Sequence, residues 1–140
     1  MAPRTSVKKV LLAEDDIDDR WFFTDFLKHR TDIEVLSSVT NGVEVLDYLS
    51  KTSENDLPNI IILDQNMPKL NGKETLLELR THDKYNKIAI VVYSTYTDYK
   101  LIEECTSLGA TLVHAKPVSS EGYNQMINTI LNHYSSTLLH

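Results

Sequence analysis

Cysteine, glycine and proline are all scarce in this chain: one, four and four among 140 residues. The lone Cys105 cannot form an intramolecular disulfide, so a reducing compartment suits the protein. Cys105 lies in an apolar helical pattern, where a free cysteine acts as a small core hydrophobe. No glycine-rich loop exists to cradle ATP or NAD, so phosphate would have to arrive already activated on a donor. No run of about 18 apolar residues could span a bilayer, and residues 1–6 are polar, with no signal-peptide core. Basic residues number 14 against 20 acidic, a net charge of −6. No basic patch or tail is visible, which argues against non-specific binding to nucleic acid or anionic membrane. His29, His82, His114, His133 and His140 show no zinc-ligand spacing. Repeats, low-complexity stretches and linkers are absent too. The expectation is one cytoplasmic domain.

What is present alternates. Apolar runs at residues 8–13, 33–39, 60–64, 88–93 and 111–115 read as strands. Amphipathic stretches at about 17–30, 42–50, 73–80, 98–108 and 120–133 read as helices. Phe22, Phe23, Phe26 and Leu27 cluster at helical spacing in the first. Leu101, Cys105 and Leu108 do so in the fourth, which Gly109 ends as its C′ residue. Strand-helix alternation implies an α/β fold, a doubly wound parallel sheet with helices on both faces. The domain is expected to span 7–134, with short tails at 1–6 and 135–140 and no effector domain.

Four of the five strand runs stop at a hydrophilic group. The first ends at Glu14-Asp15, the third at Asp64, the fourth at Ser94 and the fifth at Lys116. In a parallel sheet these ends share one edge, where open α/β folds place their chemistry. Clustered carboxylates repel one another and raise each other's pKa. An all-oxygen set of this kind suits Mg²⁺, which keeps positions open for phosphate oxygens. Lys116 adds a positive charge and Ser94 a donor. Asp64, at the end of Ile-Ile-Ile-Leu, can itself be the nucleophile and form an aspartyl phosphate. Each residue alone also fits a duller role: a turn cap for Asp64, helix N-terminal charge for Glu14, Asp15 and Asp16, a solvated lysine for Lys116. Asp18 and Asp19 are assigned to the helix dipole only.

With these residues in place, the chain resembles the receiver domain of two-component response regulators over about residues 7–133. The likeness rests on the acidic pair, on Asp64 followed by Met67-Pro68 and Asn71-Gly72, on Ser94, and on Lys116-Pro117. It implies a flavodoxin-like (βα)5 sandwich with strand order 2-1-3-4-5. It further implies Asp64 as phosphoacceptor, and Mg²⁺ or Mn²⁺ held by Glu14, Asp15, Asp64 and the Asn66 carbonyl. Asp16 is the register alternative in the acidic pair. Ser94, Thr95 and Lys116 would bind the phosphoryl group, and a cis bond is expected before Pro117. The Glu-Asp-Asp-x-Asp-Asp-Arg start is similar to small stand-alone receivers paired with bacterial phytochrome-type kinases.

The expected partners are a sensor histidine kinase or histidine phosphotransfer protein and a downstream protein target. A homodimer is a further expectation, through the fourth helix, fifth strand and last helix at Ile102, Val113 and Tyr123. The chain would catalyse its own phosphorylation and dephosphorylation without turning over an independent substrate. Two departures stand out. Val113 occupies the position of the family's switch aromatic. Thr95 and Tyr96 follow Ser94 where they could shield the phosphate. The alternatives are a pseudo-receiver that only binds partners, and a Mg²⁺-dependent phosphohydrolase, for which Asn66 stands where an acid-base aspartate would be needed.

Overall fold

The computed structural model describes residues 7–138, with side chains through 133. Five strands, β1 Lys8–Ala13, β2 Ile33–Val35, β3 Ile60–Asp64, β4 Ala89–Ser94 and β5 Leu112–Ala115, form one parallel sheet in the order β2-β1-β3-β4-β5. Five helices connect and follow them: α1 Ile17–Lys28, α2 Gly42–Ser50, α3 Gly72–Arg80, α4 Tyr99–Ser107 and α5 Ser120–Leu138. One-turn 3-10 helices, Glu54–Asp56 and Asp83–Tyr85, sit in the two polar connections. The doubly wound topology expected from the alternation is the one observed.

Local chemistry explains the strand-to-helix turns. Asp16, Asn41, Asn71 and Asp98 each stand at an N-cap, where the side chain accepts a backbone N–H of the first turn. Asn71 and Glu74 form a reciprocal capping box. Gly109, at φ 104°, closes α4 in a conformation that disfavours other residues. The central strands are buried on both faces. Val10, Leu12, Ile60, Ile62, Val91 and Tyr93 pack under α1 and α5, whereas Leu11, Ile61, Leu63, Ile90 and Val92 pack under α2, α3 and α4.

At the sheet edge opposite the strand ends, one side chain gathers several backbone carbonyls. Arg80, at the end of α3, donates to the carbonyls of Gly109, Tyr85, Asn86 and Ile88 at 3.0–3.4 Å. These carbonyls lie just before β4 and β5.

Three expectations need correction. β2 stops at Val35; beyond it only Val39 forms a bridge, to Ala13, because this edge strand has a partner on one side alone. Phe22 is exposed while Phe23 and Leu27 are buried, since neighbouring helical positions point about 100° apart. α5 runs on to Leu138, so residues 135–138 are helix and not tail; no glycine or proline after Gly122 interrupts it. The expected tail residues 1–6 and 139–140 lie outside the described residues.

Lys69, in the loop between β3 and α3, adopts φ 68°. A side chain in this left-handed region carries a steric penalty that glycine escapes. Lys69→Gly is expected to leave unfolding free energy unchanged or raise it by up to about 1 kcal/mol, as read by urea unfolding, whereas Lys69→Val should lower it.

Candidate functional site

The carboxyl ends of β1, β3, β4 and β5 converge as the sequence implies. Register pairs Leu12 with Ile62, Ile62 with Val91 and Asp64 with Tyr93. The pleat therefore turns Glu14, Asp64 and Tyr93 to the same face, toward α1 and α5. Glu14 is fully buried and Asp64 is 3% exposed.

Lys116 leaves β5 with its N–H donating to the Ser94 carbonyl at 2.8 Å. Its Nζ lies 2.8 Å from Glu14 Oε1, 2.8 Å from Asp19 Oδ2 and 3.4 Å from Asp64 Oδ2. Glu14 Oε1 also accepts the Tyr93 hydroxyl at 2.5 Å, and Glu14 Oε2 accepts the Asp16 N–H at 3.1 Å. The Asn66 N–H donates to Asp64 Oδ1 at 3.1 Å. Arg20 donates to the Glu14 carbonyl at 3.0 Å and pins the loop between β1 and α1.

The electrostatics follow from this packing. Burial, then the facing carboxyl of Glu14, push Asp64 up to about 7. Burial opposes charge on Glu14 too, but hydrogen bonds from Asp64, Lys116 and Tyr93 prevail and hold it below the usual carboxylate range. The two facing carboxyls thus resist carrying two charges at once. Burial opposes the charge of Lys116, yet Asp19 and Glu14 keep its ammonium above the ordinary lysine value. Tyr93 keeps its proton, because burial and the charge of Glu14 both raise it.

The remaining sequence candidates fall around this centre. Asp15 and Asn66 are exposed beside it. Asp16 spends its side chain as the α1 cap, so it is Glu14 that faces Asp64. The Ser94 hydroxyl donates to the Tyr96 carbonyl at 3.0 Å and accepts the Tyr96 N–H at 3.2 Å, turned into its own loop. Thr95 lines a cleft of about 520 Å³ with Asp19, Phe22, Lys116, Pro117 and Tyr123. Tyr96 is not among the residues lining that cleft; its ring is 80% exposed.

Val113 is half-buried against the α4 side of the core, and Tyr123 is buried on the other side against Phe23 and Phe26. Of the three residues expected at a dimer face, only Ile102 is exposed. The peptide before Pro117 is trans, not cis. Trans is the lower-energy isomer by about 0.5–1 kcal/mol, and the Lys116–Ser94 bond fixes the strand end without cis geometry.

Two residues here go beyond the sequence candidates. Asp19 pairs with Lys116; its place one helical turn beyond Asp15, on the side facing the strand ends, was the available signal. Tyr93 was legible only as the end of an apolar run, although its register pairing with Asp64 puts its hydroxyl at the site.

Among the described residues no three potential ligands already form a metal cage. The donor set nonetheless fits a divalent cation. Two buried carboxyls face each other, with one lysine between them and exposed Asp15 adjacent. The oxygen-only chemistry and the shortfall of positive charge are what such an ion corrects. A buried carboxylate with an adjacent ammonium and hydroxyl is also equipped to attack phosphorus.

Residues 10–128 match the response regulator receiver domain family. The chain is 26% identical over 122 residues to a probable chemotaxis protein CheY of Rhizobium etli, covering 87% of this chain and 91% of that one. Its fold is similar to that of the Mn²⁺-bound response regulator Rcp1, with TM-score 0.73, 28% identity, and coverage of 88% and 91%. It is also similar to the phosphorylated cyanobacterial phytochrome response regulator RcpA, with TM-score 0.78, 29% identity, and coverage of 94% and 96%. The chain spans only 26–37% of the length of several protein-glutamate methylesterases that it also matches. Among the described residues, no helix is long and apolar enough to cross a membrane.

Proposed function

Because this chain belongs to the response regulator receiver family, we propose that Asp64 accepts a phosphoryl group from a phosphohistidine of a sensor kinase or phosphotransfer protein. The observation that carries this reading is Asp64 itself: buried at the end of β3, with Lys116 Nζ at 3.4 Å and Glu14 facing it.

In the step, an Asp64 carboxylate oxygen forms a bond to phosphorus. The P–N bond to the donor imidazole breaks, and the imidazole leaves with the electron pair. Lys116 moves from the carboxyls toward the incoming phosphoryl oxygens and donates to them. Glu14, Asp15, Asp64 and the Asn66 carbonyl would hold Mg²⁺ or Mn²⁺. Such an ion supplies the positive charge that lets both buried carboxyls ionise and that offsets the phosphoryl charge. Ser94 donates to a phosphoryl oxygen only by giving up the Tyr96 carbonyl, which frees the loop at residues 95–98 and carries the signal outward. Val113 has no ring to swing, so we assign the relay to that loop. Shielding of the phosphate falls to Thr95, at the cleft, in preference to Tyr96.

The donor protein meets the cleft across exposed Ile17, Trp21, Phe22 and Val118, an apolar surround for a charged centre. The output is a protein–protein interaction. A homodimer through α4, β5 and α5 is the weaker reading, because Tyr123 is buried.

Incubation with acetyl phosphate and Mg²⁺, followed by intact-mass measurement, tests the proposal. One phosphoryl per chain is expected, lost in Asp64→Asn and in the presence of excess chelator. No labelling would leave an interaction module without phosphotransfer. Many fast turnovers per chain would mean a hydrolase.

A further inference from the structure

Tyr93 crosses the end of β3 to reach Glu14, two strands away in the sheet. Both residues are fully buried. The phenol ring is wedged against Phe23 at a centroid distance of 5.9 Å, and Lys116 Nζ lies 5.4 Å from the ring centre. The contact thus has a rigid base. A tyrosine has two side-chain torsions and both are fixed by packing, whereas a glutamate has three, and its hydrogen bonds choose among them.

Glu14 has a divided set of partners. Its Oε1 takes the Tyr93 hydroxyl and Lys116, while its Oε2 takes the Asp16 N–H. Oε2 is therefore the oxygen turned to the loop that carries Asp15 and Asp16. When Lys116 is drawn to a phosphoryl group, Oε1 loses that donor. The Tyr93 hydroxyl then stays on Oε1 and, with the Asp16 N–H on Oε2, keeps the carboxyl in the same orientation.

We propose that Tyr93 is a positioning residue for the divalent cation: its hydroxyl presets Glu14 so that Oε2 is presented to the ion both before and after phosphorylation. This deepens the reading that Glu14 is a cation ligand and rests on it. Hydrogen-bond partners of ligating groups commonly set affinity by about 10- to 100-fold. They act by orienting the ligand, and a buried, packed phenol is suited to that role.

The test is Mn²⁺ titration of the full chain, followed by loss of the free-ion EPR signal, with Mg²⁺ as competitor. Tyr93→Phe keeps the ring against Phe23 and under Lys116, so a urea unfolding curve separates misfolding from altered binding. Tyr93→Phe is expected to weaken Mn²⁺ binding by about tenfold. In a Glu14→Gln background, where no carboxylate remains to be positioned, the same change should alter binding by less than about twofold. Equal effects in both backgrounds would overturn the positioning role, as would unaltered binding in the single variant. Either of these results leaves the cation site itself standing. If the wild-type chain binds no Mn²⁺, both the site and the role of Tyr93 fall together.

Discussion

Asp64→Asn is expected to be more stable than the wild-type chain at pH 8 in the absence of divalent cations. The sign follows from where the proton sits. In the fold, the Asp64 carboxyl is held up at about 7; unfolded, it returns to the ordinary 3.8. Between those values the folded chain binds more protons than the unfolded one, so stability falls as pH rises through the window. Above it the whole penalty stands. A shift of three units alone would be worth about 4 kcal/mol. Glu14 moves in the opposite direction and offsets part of that, and asparagine loses the attraction of Lys116. The net gain is therefore about 1–3 kcal/mol at pH 8, shrinking toward zero near pH 4. Added Mg²⁺ should stabilise the wild type more than the variant and narrow the gap. Urea unfolding at three pH values, with and without Mg²⁺, measures all of this. A variant no more stable than wild type at pH 8 would show that Asp64 is not held at a cost.

Lys116→Met should do the reverse, and by more. Methionine keeps the apolar stem but removes the one ammonium that meets Glu14, Asp19 and Asp64 together. Breaking a buried ion pair by removing one partner costs roughly 3–5 kcal/mol. Here the raised Asp64 carboxyl can take up a proton and relieve some of the loss, so about 2–4 kcal/mol is expected at pH 8. At pH 5 Asp64 is protonated and needs no counter-charge, so the defect should be smaller there. Adding Asp64→Asn to Lys116→Met should restore much of the stability, because the two sites share one electrostatic problem. Unfolding curves of both single variants and the double variant at the two pH values give the answer. A defect independent of pH would locate the role of Lys116 in packing alone. In labelling experiments Lys116→Met should still accept phosphate on Asp64, but more slowly, since the nucleophile and the remaining carboxyls are intact.

Much of this site was legible from the chain because each strand announces its own end. Ile60–Leu63 is apolar without interruption and Asp64 is not, and the same break recurs at Glu14, Ser94 and Lys116. Parallel topology does the rest, since it puts all strand ends on one edge. What could not be read depends on partners distant in sequence. An aromatic closing the run Ala89–Tyr93 reads as core, and most of Tyr93 is core; only the position of Glu14, 79 residues earlier, gives its hydroxyl a task. Asp19 had a sufficient explanation in the helix dipole, which concealed its contact with Lys116. The orientation of Ser94 is set by a local turn with Tyr96, a conformation that its identity does not specify. The isomer before Pro117 is a choice between states differing by about 0.5–1 kcal/mol, too little for a dipeptide to decide.

The two ends of the sheet are secured by different physics. At the Asp64 end the ties are ionic, and each weakens or strengthens when a charge arrives. At the other end the Arg80 guanidinium binds four backbone carbonyls, groups with no charge to gain or lose, beside the Lys9–Asp56 and Arg30–Asp32 pairs. The domain is built like a cantilever, clamped at its root and loaded at its tip. On the phosphorylation proposed for Asp64, the charge would arrive at the tip, and displacement is expected to collect there, in the β4–α4 loop first.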